Sequence, residues 1–193
     1  MRVVVLNHVS LDGVMQAPGR AEEDIRGGFA HGGWAMPGND AVMGQALGER
    51  MAGPGGGLLL GRRTYQDLLS FWNSQPDSPF AAALNTTPKY VASTNAGTSL
   101  DWPNSTLLHG DVPAAVAKLK DEPGGDLTIM GSRVLIQALM PHGLIDEYLL
   151  MIHPLVIGSG QRLFPDADAT TRLRLLDTLT TTTGVVMATY QPA

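Results

Sequence analysis

Thr128-Ile129-Met130-Gly131-Ser132-Arg133-Val134-Leu135-Ile136 decides the reading of this chain. An apolar run of β type ends at a Gly-Ser pair and passes straight into a helical pattern, with no linker between. A strand that turns directly into a helix aims unpaired backbone N–H groups at one point. The first helical turn adds partial positive charge there, so the point suits a phosphate. Gly57-Leu58-Leu59-Leu60-Gly61-Arg62-Arg63-Thr64-Tyr65 repeats the design, with two arginines at the helix start. Two such junctions in one small chain suggest a dinucleotide whose phosphates lie between them.

Outward from these junctions, strands and helices alternate. Residues 2–8 read as a buried strand around the apolar run Val3 to Leu6, and Ser10-Leu11-Asp12-Gly13 turns the chain. Residues 13–38 lack periodicity and exceed the usual loop length, which favours a functional segment. Within it Phe29-Ala30-His31-Gly32-Gly33-Trp34 sets aromatics on a flexible backbone. A helix follows from Asn39, capped by Asn39 or Asp40, with Val42, Met43, Ala46, Leu47 and Met51 at helical spacing. Gly53-Pro54-Gly55-Gly56 stops it. Strand 57–61 and a helix over about 62–69 come next. Pro76 to Pro79 mark a loop, and 80–86 read as one or two helical turns.

Two more strands start at Lys89 and Thr106. Asp111 caps a helix that accepts Pro113 in its first turn and runs to about Lys120. Strand 126–130, helix 132–140 and a strand from Ile145 to about Ile152 follow. Residues 172–191, rich in Thr, Val and Leu with a turn at Gly184, read as an antiparallel hairpin. The pattern predicts an α/β fold: a mixed, mostly parallel sheet flanked by helices, with an antiparallel C-terminal hairpin.

At 193 residues the expectation is a single domain, 1–193. Net charge −5 leaves no basic face for a nucleic acid, and no apolar run has the length of a membrane span. The N-terminal run Met1-Arg2-Val3-Val4-Val5-Leu6 is too short for a signal peptide and reads as a strand. The absence of cysteine excludes disulfides, a thiol nucleophile and thiolate metal sites, and suits a cytoplasmic protein. His8, His31, His109, His142 and His153 form no i, i+4 pair and no carboxylate cluster joins them, so no metal site is expected. The glycines at 53–57 precede a strand and lack the Gly-Lys-Ser/Thr of a phosphate loop, and no Gly-x-Ser-x-Gly elbow occurs.

Several segments in order carry a family resemblance: Val9-Ser10-Leu11-Asp12-Gly13, Leu60 to Tyr65, Tyr90-Val91-Ala92-Ser93-Thr94, Ile129 to Ser132, and Gly143 to Tyr148 through His153 to Gly160. Together they resemble the dihydrofolate reductase fold family, and within it the branch related to the reductase (C-terminal) domain of the bifunctional riboflavin-biosynthesis deaminase-reductase. The resemblance implies NADPH as hydride donor. Arg62 then meets the adenosine 2′-phosphate, with Gly61 before it. Arg63 and Thr64 sit on or beside the pyrophosphate, and Ser93 and Thr94 flank the adenosine end. Gly131, Ser132, Arg133 and Val134 give backbone donors to the other side of the pyrophosphate. A guanidinium is a planar, permanently charged fork suited to a phosphate monoester. The resemblance also implies a cis peptide at the second junction, here Gly131-Ser132, although the family pair is two glycines.

On the substrate side the resemblance places the nicotinamide against Asn7 to Gln16, with Val14, Met15 and Gln16 over the ring. Asp12 is a catalytic candidate or a turn residue bonding backbone amides. Asp40 is a substrate anchor or proton relay, or a helix cap. Phe29 and Trp34 line the substrate or pin the loop, and His153 is structural. The riboflavin enzyme's zinc deaminase needs cysteines this chain lacks, so a stand-alone reductase is expected. Its substrate would be a pteridine, pyrimidine or ribosylamino-pyrimidine. A homodimer, built near the strand from Leu144 to Ile152, is the expected assembly. The competing reading is a ligand-binding protein of the same fold without turnover. A flavin-dependent reductase is a third.

Overall fold

Leu58, Leu59 and Leu60 are consecutive and all buried, as a strand covered on both faces requires. In the computed structural model, which describes residues 1–51, 56–75, 77–164, 166 and 170–193, they form a strand. In chain order the elements are β1 (Val3–Ser10), α1 (Ala41–Met51), β2 (Gly57–Gly61), α2 (Arg62–Asn73), α3 (Pro79–Thr86), β3 (Lys89–Ala92), β4 (Ser105–Leu108), α4 (Val112–Asp121), β5 (Leu127–Met130), α5 (Arg133–Leu139), β6 (Glu147–His153), β7 (Leu173–Thr180) and β8 (Val186–Pro192). The strands are mostly parallel, with antiparallel pairing at the C-terminal end, and helices accompany them, as the alternation in the sequence predicts. The predicted stop at Gly53-Pro54-Gly55 and the loop residue Pro76 lie outside the described residues. Among the described residues no helix is long and apolar enough to cross a membrane.

The chain divides into two units, Met1–Val3 with Pro54–Leu144, and Val4–Gly53 with Ile145–Ala193. In the first, β4, β3, β2 and β5 lie side by side, all parallel. Leu58, Leu60, Tyr65, Leu84, Val91 and Trp102 form its core, with Leu68, Leu69 and Trp72 packed against them. Tyr65, Leu68, Leu69 and Trp72 keep helical spacing, and this stripe carries α2 to Asn73, beyond the predicted end near 69. Each such side chain taken fully from water contributes roughly 1.5–3 kcal/mol. The Tyr65 hydroxyl accepts from the Trp102 N–H at 2.8 Å.

Lys89 is almost fully buried, 1% exposed, in this unit. Its ammonium donates to the carbonyls of Leu84 and Thr87, at the C-terminal end of α3, and lies 5.4 Å from the Trp102 ring centre. A cation at a helix C-terminus meets the negative end of the helix dipole. Burial lowers the Lys89 pKa.

In the second unit β1 runs parallel to β6, and β8 lies antiparallel to both β6 and β7. Leu6, Met43, Leu149, Met151, Val185 and Met187 pack together, joined by Ala46 and Leu47 of α1. The 13–38 segment has a core of its own: Val14, Ala17 and Phe29, with Trp34 and Ile157 against them. Glu147, at the start of β6, is buried and ion-paired with Arg50 near the end of α1.

Candidate cofactor-binding site

β2, β3 and β5 are parallel neighbours, so their carboxyl ends emerge on one side of the first unit. Residues following such ends are the usual place for a ligand in α/β folds. Gly61 closes β2, Ser93 and Thr94 follow β3, and Gly131 and Ser132 follow β5. The two junctions singled out in the sequence meet through one side chain. The Ser132 hydroxyl accepts from the Gly61 N–H at 2.7 Å and donates to Thr64 Oγ1 at 2.8 Å. Glycines allow this approach. A Cβ at Gly61 would stand 3.2 Å from Ser132 Oγ, and one at Gly131 would stand 3.3 Å from Thr64 Cγ2.

Gly61 has extended backbone at the head of α2, and no side chain caps that helix. The first-turn amides of Arg62, Arg63 and Thr64 therefore have no intrahelical acceptor. The Arg62 guanidinium donates to Gln66 Oε1 at 2.9 Å, one turn on, a neutral partner that leaves its charge for an anion. Arg63 is exposed. Arg133, half-buried, donates to Gln137 at 3.2 Å, and Val134 is exposed. Ser93 is buried; its hydroxyl shares a 2.7 Å bond with Thr98 and accepts from the Asn95 N–H, while Thr94 is exposed.

The expectation of a cis peptide at Gly131-Ser132 is corrected: there is no cis bond among the described residues. Two successive left-handed residues turn the chain instead, Gly131 at φ +66° and Ser132 at φ +62°. For the same reason α5 begins at Arg133, one residue later than predicted.

In the second unit the candidates are held by their own chain. Asp12 accepts from the Ser10 hydroxyl at 2.6 Å and from the N–H groups of Ile157 and Gly158 at 3.1 and 2.9 Å. These bonds, Ser10 first, hold its pKa well below the ordinary carboxylate range. Asp40 caps α1 through the Met43 N–H at 2.8 Å and accepts from the Thr182 N–H and hydroxyl at 2.7 and 2.6 Å. Those bonds lower its pKa too, Met43 contributing most. Val14 and Met15 are buried. Gln16, also buried, donates to the carbonyls of Asp24 and Arg26, accepts from the Gln161 N–H, and takes the Trp34 indole N–H on its own carbonyl. Phe29 is buried against Val14 and Ala17, and Trp34 is half-buried.

Sequence reasoning did not find the partner of His8. Parallel pairing of β1 with β6 sets His8 opposite Met151, two residues before His153 on the same face, and His8 Nδ1 meets His153 Nε2 at 2.8 Å. Trp34 packs edge-on against His153, ring centres 5.2 Å apart. Burial, then the neighbouring His153, pulls the His8 pKa down to about 4 from 6.5, and burial lowers His153. An unfolded chain thus binds a proton at His8 that the folded chain refuses between these values, so stability falls as pH drops through that window. The slope from this one group is at most about 1.4 kcal/mol per pH unit. Thermal melts from pH 7 to pH 4 should show a shallower slope for His8→Gln than for wild type; equal slopes would refute the assignment.

The family model for the RibD C-terminal domain matches residues 2–187. The chain belongs to the RibD C-terminal domain family. An uncharacterized protein of Bacillus subtilis (strain 168), YyaP, is 33% identical over 139 residues, covering 69% of this chain and 72% of that protein. Among solved structures, this RibD C-terminal domain resembles a putative riboflavin biosynthesis protein from Shewanella sp. PV-4, with TM-score 0.71, 24% identity, and coverage of 100% and 99% of the two chains. It also resembles dihydrofolate reductase from Enterococcus faecalis complexed with NADP(H) and RAB-propyl, with TM-score 0.62, 15% identity, and coverage of 99% and 96%. A RibD C-terminal domain thus shares the dihydrofolate reductase fold here, and the fold is of reductase type.

Proposed function

We propose that this chain is an NADPH-dependent reductase that adds a hydride to a small heterocycle of the pteridine, pyrimidine or ribosylamino-pyrimidine type. One observation carries the reading: two strand-to-helix junctions meet at the Ser132 hydroxyl, with the Arg62 guanidinium at the start of α2. The donor set is chemically right for a phosphorylated dinucleotide, offering helix-start amides, hydroxyls and a guanidinium whose partner is neutral. The Enterococcus faecalis structure, a complex with NADP(H), supports it by likeness of fold.

In this reading Arg62 binds the 2′-phosphate. Gly61, Arg63, Thr64 and Gly131 to Val134 bind the pyrophosphate, and Ser93 and Thr94 bind the adenosine end. Val14, Met15 and Gln16, expected at the nicotinamide, and Phe29, expected at the substrate, are buried among their own neighbours in the second unit, which leaves the half-buried Trp34 as the candidate there with accessible surface. When bound, NADPH supplies the hydride. The chain's own contribution is to fix the cofactor and exclude water. Asp12 and Asp40 are assigned as ionised groups that orient the substrate side, because the bonds holding them favour the charged form.

Titrating NADPH and NADH against melting temperature tests the reading. Saturable stabilisation by NADPH is expected. Arg62→Ala should weaken NADPH binding roughly 10- to 100-fold, as for loss of a charged hydrogen-bond partner, and leave NADH binding little changed. No saturable effect at millimolar NADPH would refute it. The capture of both Asp12 and Asp40 by backbone and hydroxyl donors favours a second reading, a ligand-binding protein without turnover. Oxidation of NADPH with any heterocycle of these classes excludes that reading.

A further inference from the structure

Ser132 adopts a left-handed conformation, φ 62° and ψ 51°, that glycine takes without penalty and a residue with a Cβ does not. The side chain present at this costly position is not idle. The Gly61 N–H can only donate, so Ser132 Oγ accepts there, and the serine's own hydrogen goes to Thr64 Oγ1. Bonds thus run in one direction, from Gly61 through Ser132 to Thr64. The hydrogen at the end of that chain is the one on the Thr64 hydroxyl.

We propose that Ser132 is a positioning residue: its hydroxyl orients and polarises Thr64, so that the Thr64 O–H is aimed to donate to a phosphate oxygen of the dinucleotide. The inference rests on the NADPH reading above and assigns to Ser132 a side-chain role beyond its backbone amide. Consecutive hydrogen bonds strengthen one another, and an O–H···O⁻ bond is among the stronger ones available to a neutral donor. Gly131 belongs to the same device, since a Cβ there would press on the Thr64 side chain at 3.3 Å. The serine therefore binds the cofactor through Thr64 as well as through the chain.

A double-mutant cycle on the full chain tests this, reading NADPH dissociation constants by calorimetry and melting temperature without ligand. Ser132→Ala is expected to weaken NADPH roughly 3- to 10-fold, the range for one hydrogen bond. Thr64→Val should weaken it by at least as much, and the double variant should bind like Thr64→Val alone, because the serine acts through the threonine. Ser132→Gly separates binding from stability. It removes the hydroxyl yet relieves the left-handed backbone, so its affinity should fall with that of Ser132→Ala while its melting temperature stays above that of Ser132→Ala. Wild-type binding with unchanged affinity in Ser132→Ala and Ser132→Gly overturns the inference alone, as do additive effects of the two single variants. A wild-type chain that fails to bind NADPH overturns the cofactor reading and the inference together.

Discussion

Exchanging Arg50 for leucine is expected to lower the unfolding free energy by about 2–3 kcal/mol, short of the loss for a fully buried ion pair because the Arg50 side chain keeps 33% of its surface while Glu147 is buried. Glu147 begins β6, where its partner across the parallel ladder is Val4, and only 4% of it is exposed. The Arg50 guanidinium bonds its Oε1 from the last turn of α1. Losing that guanidinium leaves the buried carboxylate less well balanced in a poor solvent, which disfavours the fold. Replacing both partners with leucine should cost markedly less than Arg50→Leu alone, since no charge is left behind. Urea unfolding of the two single variants and the double provides the measurement. An Arg50→Leu variant within about 1 kcal/mol of wild type would show that the pair behaves like a surface one.

Gly160→Ala should cost about 3 kcal/mol, from overpacking added to backbone strain. Gly160 has φ +107°, and a Cβ built there would lie 2.6 Å from Phe29 Cε2, 2.9 Å from Phe29 Cδ2 and 3.0 Å from Val14 Cγ1. Phe29 is a buried ring at the centre of the 13–38 core, not a side-chain tip that can swing away. Gly158→Ala is the matched control. Its φ is +81° but a Cβ there meets nothing within 4 Å, so it should show the strain alone, about 1–2 kcal/mol. Comparable melting temperatures for the two variants would mean that Phe29 yields easily and that the core is looser than its packing suggests.

The junctions were legible because their information is local. Leu58 to Leu60 followed by Gly61-Arg62, and Thr128 to Met130 followed by Gly131-Ser132, each announce strand, turn and helix within nine residues. What lay beyond reach depends on residues far apart in the chain. Gln16 bonds the Gln161 amide, Asp12 the Ile157 amide and His8 the His153 ring, each across 145 residues. No periodicity records such pairings. The left-handed Ser132 is a different failure. Nothing in the string Gly-Ser-Arg marks a serine at positive φ, and only its two hydrogen bonds explain why a hydroxyl stands there. The 13–38 segment shows no periodicity because its apolar residues follow no regular spacing, yet Val14, Ala17 and Phe29 are buried together.

Lys89 has a consequence for how this protein responds to its surroundings. Its positive charge is balanced by carbonyl dipoles in the interior, with an aromatic face nearby. Mobile ions screen charges that water reaches, over a Debye length of about 8 Å in physiological salt, and dissolved counterions have no route to an ammonium sealed in this way. Surface pairs such as Arg26 with Asp24 weaken as salt is added. The anchorage of the α3 terminus is expected to hold alike in dilute buffer and in brine.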